Sequence, residues 1–157
     1  MKPKHAALQR IIGYQFEEPG LLVRALTHRS FGKDNNERLE FIGDGLVNAV
    51  VADLLFTQYP DLDEGSLSRL RSKLVSKEGL AILAERFDLG PLVMLGAGER
   101  KSGGRHRASI LADTVEALAG SVLIEAGFGV ASQIVGSWFA ADGAQLDISN
   151  ARDAKTR

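Results

Sequence analysis

The chain has 157 residues, 45% of them hydrophobic and 25% charged, with a net charge of −1 at pH 7 and no cysteine. That length fits one domain with a real core, the balance is that of an ordinary folded protein, and the lack of cysteine excludes disulfides and thiolate zinc sites. The start, M-K-P-K-H-A-A-L-Q-R, has no apolar signal core, and no stretch is long enough to span a membrane.

In chain order, His5 to Ile12 and Gly20 to Leu26 read as short helices, the second opened by Pro19. Asn36 is placed to cap a long helix that runs to about Tyr59, where Pro60 stops it. Asp63 or Ser66 caps the next, which reaches about Ser76, and Lys77 to Phe87 continues helically after a kink. Gly90 to Gly104 holds five of the 17 glycines and reads as a loop with a turn of helix at Leu92 to Leu95. Ser109 is placed to cap another long helix, to about Ala126, and a last helix covers roughly Val130 to Ala140. No strand pattern with period two stands out, so the expected fold class is all-α. After Asp142 the sequence turns polar and aperiodic, like a linker.

Two of these helices carry acids where apolar residues dominate. From Phe41 to Phe56 the only polar side chains are Asp44, Asn48 and Asp53, and from Ile110 to Ile124 they are Asp113, Thr114, Glu116 and Ser121. Helices this apolar are expected to lie mostly inside. Glu37, Glu40 and Asp44 fall within about 60° of one another around a helix axis, and Asp113 and Glu116 share one face in the same way. Like charges one turn apart repel, and burial makes each ionised carboxylate more costly. A divalent metal between the two helices would offset both. All-oxygen ligands point to a hard ion, Mg²⁺ first and Mn²⁺ as substitute.

The basic residues come in two runs without an acid. Ser66 to Lys77 carries Arg69, Arg71, Lys73 and Lys77, and Arg100 to Arg107 carries Arg100, Lys101, Arg105, His106 and Arg107. Arg69, Lys73 and Lys77 repeat every four residues and make a stripe along one helix face. A solvated face is the plain reading of either run alone. Beside a four-carboxylate site, cations that can hold phosphate suit phosphodiester cleavage. The three histidines are scattered and no H-E-x-x-H occurs, which argues against a zinc hydrolase.

The segment N-E-R-L-E-F-I-G-D-G-L resembles the signature of the ribonuclease III endonuclease domain, usually read E-R-L-E-F-L-G-D-S. L-L-V-R-A-L-T-H-R-S-F, D-E-G-S-L-S-R-L-R-S-K-L-V-S, L-G-A-G-E-R-K-S-G-G-R and S-I-L-A-D-T-V-E-A-L-A-G resemble the same family in order and spacing. The resemblance implies an all-helical, homodimeric, Mg²⁺-dependent endonuclease. It would act on double-stranded RNA in the cytoplasm, in rRNA and mRNA precursor processing. It implies a catalytic domain at residues 1–142, and at 143–157 the start of a linker to a double-stranded RNA-binding domain. The family's metal ligands map to Glu40, Asp44, Asp113 and Glu116, with Asp44 and Glu116 as the catalytic pair. Glu37 and Glu64 match further cleft acids, and Phe41 matches an aromatic that plugs a pocket of the partner subunit. Gly45 stands where the family often has serine. His28 matches too and is read as structural.

The resemblance also implies products with a 5′-phosphate and a 3′-hydroxyl, cut in staggered fashion by two sites across one valley. Arg69, Lys73, Lys77, Arg100, Lys101, Arg105 and Arg107 are the candidates for RNA contact. The rival reading, a catalytically silent double-stranded RNA-binding domain of the same fold, is disfavoured by the complete acid set. A hydrolase of small nucleotides would want stacking partners, and the basic loop contains no aromatic residue.

Overall fold

The computed structural model describes residues 2–143. The expected linker lies outside them, apart from Gly143 at the end of the last helix. The elements run α1 (Pro3–Ile12), α2 (Pro19–Ala25), α3 (Glu37–Gln58), α4 (Glu64–Val75), α5 (Lys77–Arg86), α6 (Ala97–Lys101), α7 (Ala108–Ala126) and α8 (Phe128–Gly143), with 3₁₀ turns at Gly90–Leu92 and Gly104–His106. Among the described residues the only strand-like feature is an isolated parallel bridge between Thr27 and Met94. The all-α expectation holds.

Helix α7 is the axis of the fold and packs against α2, α3, α5 and α8. Its composition explains why. Ile110, Leu111, Val115, Leu118 and Val122 are buried on several sides of the helix, and a helix apolar all round belongs in a core. Its two buried hydroxyls are satisfied locally, Thr114 donating to the Ile110 carbonyl at 2.8 Å and Ser121 to that of Leu118 at 2.7 Å. Trp138 of α8 closes the far side, with its indole N–H on the Ile12 carbonyl at 2.8 Å and its ring edge-on to Phe87. Each fully buried leucine here, such as Leu22, Leu83 or Leu118, contributes about 1.5–3 kcal/mol by leaving water.

Several local expectations change. The Asn36 side chain does not cap α3. It is buried and donates to the Ala25 carbonyl at 3.0 Å, while Asn35 Oδ1 accepts the Glu37 N–H at 3.1 Å. Capping has moved one residue back because Asn36 serves the packing of α2. Asp63 does cap α4, accepting from Ser66 N–H at 3.0 Å. Ser76 has extended backbone and its hydroxyl accepts the Gly79 N–H, so α4 and α5 are separate helices. Arg69, Lys73 and Lys77 therefore do not form one continuous stripe.

Ser109 lies inside α7, whose first bond runs from the Leu111 N–H to the Arg107 carbonyl. The turn of helix expected at Leu92 to Leu95 lies earlier, at Gly90–Leu92, because Met94 is drawn into the bridge with Thr27. The basic segment expected as plain loop contains α6 and the second 3₁₀ turn.

Two loops are locked together by that bridge. His28 N–H donates to the Met94 carbonyl at 2.9 Å and Met94 N–H to the Leu26 carbonyl at 2.8 Å. Gly96 N–H donates to Ser30 Oγ at 2.9 Å, and Ser30 N–H to His28 Nδ1 at 3.1 Å. The far end of α7 is tied down separately. Glu125 accepts from Tyr14 Oη at 2.6 Å and from the backbone N–H groups of Glu17 and Glu18. Burial pushes the Glu125 carboxyl up, but these three donors outweigh it and hold it below its ordinary range.

Candidate active site

Helices α3 and α7 cross where both carry glycine. A Cβ built on Gly43 would stand 1.6 Å from the Glu116 carbonyl oxygen, and one on Gly120 would stand 2.1 Å from that of Leu39. Only two backbones stripped of side chains approach so closely. The crossing carries Glu40 and Asp44 of α3 and Asp113 and Glu116 of α7 into one cleft of about 530 Å³. Glu37 joins them at the rim, and the walls include His28, Arg29, Glu99, Arg107 and Ser109.

Glu40, Asp113 and Glu116 each present a carboxylate oxygen such that all three atoms lie within 4.8 Å of one another. Asp44 stands outside that tightest group but lines the same cleft and hydrogen-bonds Glu116. Glu40, Asp113 and Glu116 resist ionisation. The Glu116 carboxyl is pushed up to about 9, by burial first, then by the hydrogen bond and charge of Asp44, then by Glu40 and Asp113. Glu40 is pushed up to about 7 by burial and by Asp113, with a smaller push from Glu37 that Arg29 opposes. Burial raises Asp113 as well, against its hydrogen bond with Glu40 and the cations His28, Arg29 and Lys77. Three carboxylate oxygens this close together fit a hard divalent ion.

The expectation that both acidic helices lie mostly inside is only half met. Asp44 and Glu37 are exposed, while Glu40, Asp113 and Glu116 are half-buried. The reason is that α3 covers the core with one side only. Its other side turns Phe41 (83% exposed) and Phe56 (73% exposed) to solvent.

The remaining candidates scatter. Glu64 opens α4 beside Phe56 and Arg71, away from the acidic cleft. Arg69 is half-buried beside Ser66, and Lys73 lies exposed in the last turn of α4. Lys77 lies close enough to Asp113 to favour its ionised form. Lys101 is exposed. Arg107 reaches the acidic cleft but is paired with Glu99, at 2.6 Å. Glu99 stands one residue before the basic run, so counting the run from Arg100 hid it. Arg100 and Arg105 line a different cleft. Gly43 and Gly120 were not legible as site residues, because glycine in a helix signals only weakness until its neighbour is known. His28 holds the loop together as expected, yet it also lines the acidic cleft.

Fold and cleft together define an all-helical domain with a carboxylate centre able to hold a divalent ion. The chain belongs to the Ribonuclease-III-like family, whose model matches residues 18–142. It is 49% identical to a Ribonuclease 3 from Hahella chejuensis and 51% identical to one from a Marinomonas species. Each alignment covers all of this chain and 70% of the relative. Its structure is similar to the crystal structure of the nuclease domain of ribonuclease III from Campylobacter jejuni, with a TM-score of 0.86 and 38% identity over 94% of this chain and all of that one. A second structure of that nuclease domain, described for flexibility in its dimer-forming region, has a TM-score of 0.81 and 40% identity over 84% of this chain and 93% of that one.

Proposed function

We infer that this chain is a ribonuclease III, an endonuclease that cleaves double-stranded RNA. The observation that carries the reading is the meeting of Glu40, Asp113 and Glu116 within 4.8 Å, beside Asp44, in a chain of that family. Glu40, Asp44, Asp113 and Glu116 would hold Mg²⁺, with Mn²⁺ as substitute. A bound ion would neutralise the scissile phosphate and supply an activated water at neutral pH. The chain's own part is to gather the ligands. Gly43 and Gly120 bring the helices together, and Asp44 hydrogen-bonds Glu116 and pushes its carboxyl up, so cation binding displaces a proton. Glu37 is a further acid of the cleft in this reading, while Glu64 lies in a separate cleft beside Phe56 and Arg71.

Cleavage would leave a 5′-phosphate and a 3′-hydroxyl. A C₂ dimer built on the exposed side of α3, with Phe41 inserted in the partner, would set two sites across one valley and give staggered ends. The solvent-facing Phe41 and Phe56 support that interface. A-form RNA presents a wide minor groove, so recognition is by shape, with Lys73, Lys77, Arg100, Lys101, Arg105 and Arg107 as phosphate contacts and Arg69 behind them. Cytoplasmic action on rRNA and mRNA precursors fits such a substrate. Residues 1–142 form the catalytic unit of this reading, and 143–157 begin a linker.

The test is incubation with long duplex RNA, single-stranded RNA and duplex DNA, each with and without Mg²⁺. Cutting of duplex RNA alone, and only with the ion, is the expected result. Duplex RNA left whole but bound would favour the silent-domain reading.

A further inference from the structure

On the other face of the same two loops lies a second cleft, of about 580 Å³. The two clefts share these loops as a wall. Glu99 and Arg107 face the acidic cleft, while Arg100 and Arg105 face this one. His28 and Arg29 line the first, and Phe31, two residues on, lines the second. The charged and titratable side chains lining this second cleft are Lys2, Lys4, His5, Arg100 and Arg105, with no carboxylate among them. In a chain of net charge −1, so one-sided a lining is a marked local excess. Residues 91–95 supply an apolar floor.

Phe31 is the aromatic that the basic run lacks in sequence. It is 53% exposed, yet its turn is fixed. Its N–H donates to the His28 carbonyl at 2.9 Å, and the preceding Ser30 is held by Gly96. An exposed ring on a fixed turn loses little freedom when it is covered. Cations flanking such a ring above an apolar floor match alternating phosphates and bases, the pattern by which proteins hold single strands.

We propose that this second cleft binds an unpaired RNA strand, with one base stacked on Phe31 and its phosphates on Lys2, Lys4, Arg100 and Arg105. The inference rests on the endonuclease reading for its choice of RNA, and it extends the substrate to duplexes with unpaired flanks or bulges. The ligand chemistry is a nucleotide with its base exposed, which a continuous duplex does not offer.

The experiment is fluorescence anisotropy without Mg²⁺, using a labelled oligoadenylate of about six nucleotides, the length scale of single-strand sites. An abasic oligomer of equal length is the comparison. The wild type should bind the oligoadenylate about tenfold more tightly than the abasic strand, the size of one stacked base. Phe31→Ala should erase that preference, and Phe31→Trp should restore it. Phe31→Ala should still cut blunt duplex RNA at the wild-type rate, with an unchanged melting temperature. Equal binding of the two strands by the wild type would overturn the proposal, as would a preference that survives in Phe31→Ala. No cleavage step enters the binding measurement, so a protein that fails to cut duplex RNA would sink the endonuclease reading and leave this result legible.

Discussion

Gly43 of α3 lies so close to Glu116 of α7 that a methyl group on the glycine would overlap the glutamate's carbonyl oxygen, 1.6 Å away. The carboxylate centre therefore depends on an atom that is missing. Gly43→Ala should push the helices apart and cost about 1–3 kcal/mol, as overpacking does. Gly45, two residues on, has nothing within 4 Å of its would-be Cβ. Gly45→Ala should be neutral or stabilise by up to about 1 kcal/mol. Thermal unfolding of both variants checks this pair, and a Gly43→Ala protein as stable as wild type would contradict the crossing.

Glu116 and Glu40 set the pH response of the metal-free fold. Their carboxyls stand near about 9 and about 7, against an ordinary 4.5, so the fold binds these protons more tightly than the unfolded chain. Their contribution is complete below pH ~4.5 and is lost as pH rises through about 7 and then about 9. The metal-free melting temperature should fall across that window, and Mg²⁺ should reverse much of the fall. Glu116→Gln should flatten the fall and lose the response to Mg²⁺. Its cutting should drop by about 100-fold or more, the scale of a lost metal contribution, while duplex RNA still binds. Near wild-type cutting at limiting Mg²⁺ would remove Glu116 from the ligand set.

Phe41 should act at a distance from the chemistry. With 83% of its surface in water, it contributes almost nothing to the fold of one chain. Truncation at the centre of an interface costs about 2 kcal/mol or more. Phe41→Ala should therefore shift the protein from dimer towards monomer in light scattering, with helix content unchanged. A wild type that is monomeric at micromolar concentration would remove the dimer reading.

Glu125 gives a pH effect of opposite sign. Its carboxyl is held below its ordinary range, so its contribution is present above pH ~4.5 and is lost as pH falls through the depressed value. Glu125→Ala should cost about 0.5–1.5 kcal/mol at neutral pH, the net worth of a hydrogen bond whose exposed backbone donors can turn to water. The gap from wild type should close in acid. A gap independent of pH would mean that packing, not the charge, holds the end of α7.

Much of the fold was legible because the helices announce themselves. Pro19 and Asp63 start helices where their chemistry says they should, while α1 begins at Pro3, two residues before the expected His5. The acid faces were legible too, since the spacing of Glu40, Asp44, Asp113 and Glu116 survives any packing. Which of them would be dry was not. That depends on α3 covering the core with one side only, and the exposed Phe41, Ile42 and Phe56 make the other side look like core in the sequence. The cap at Asn36 failed for a related reason. A side chain that suits a cap also suits a buried bond to a neighbouring helix, and Asn36 makes that bond with Ala25. Phe31 escaped notice because its basic neighbours are far away in the chain, Lys2 and Lys4 at the start of α1 and Arg100 and Arg105 beyond the loops that Ser30 and Gly96 join.

The bridge between Thr27 and Met94 joins residues 67 positions apart. Closures of that span form late in folding, after local helices and their near neighbours. The walls of both clefts hang on it, so chemistry waits for the last stage of assembly. A refolding chain should regain its helical circular dichroism before it can hold Mg²⁺. Substitutions in the bridge should speed unfolding more than they slow refolding.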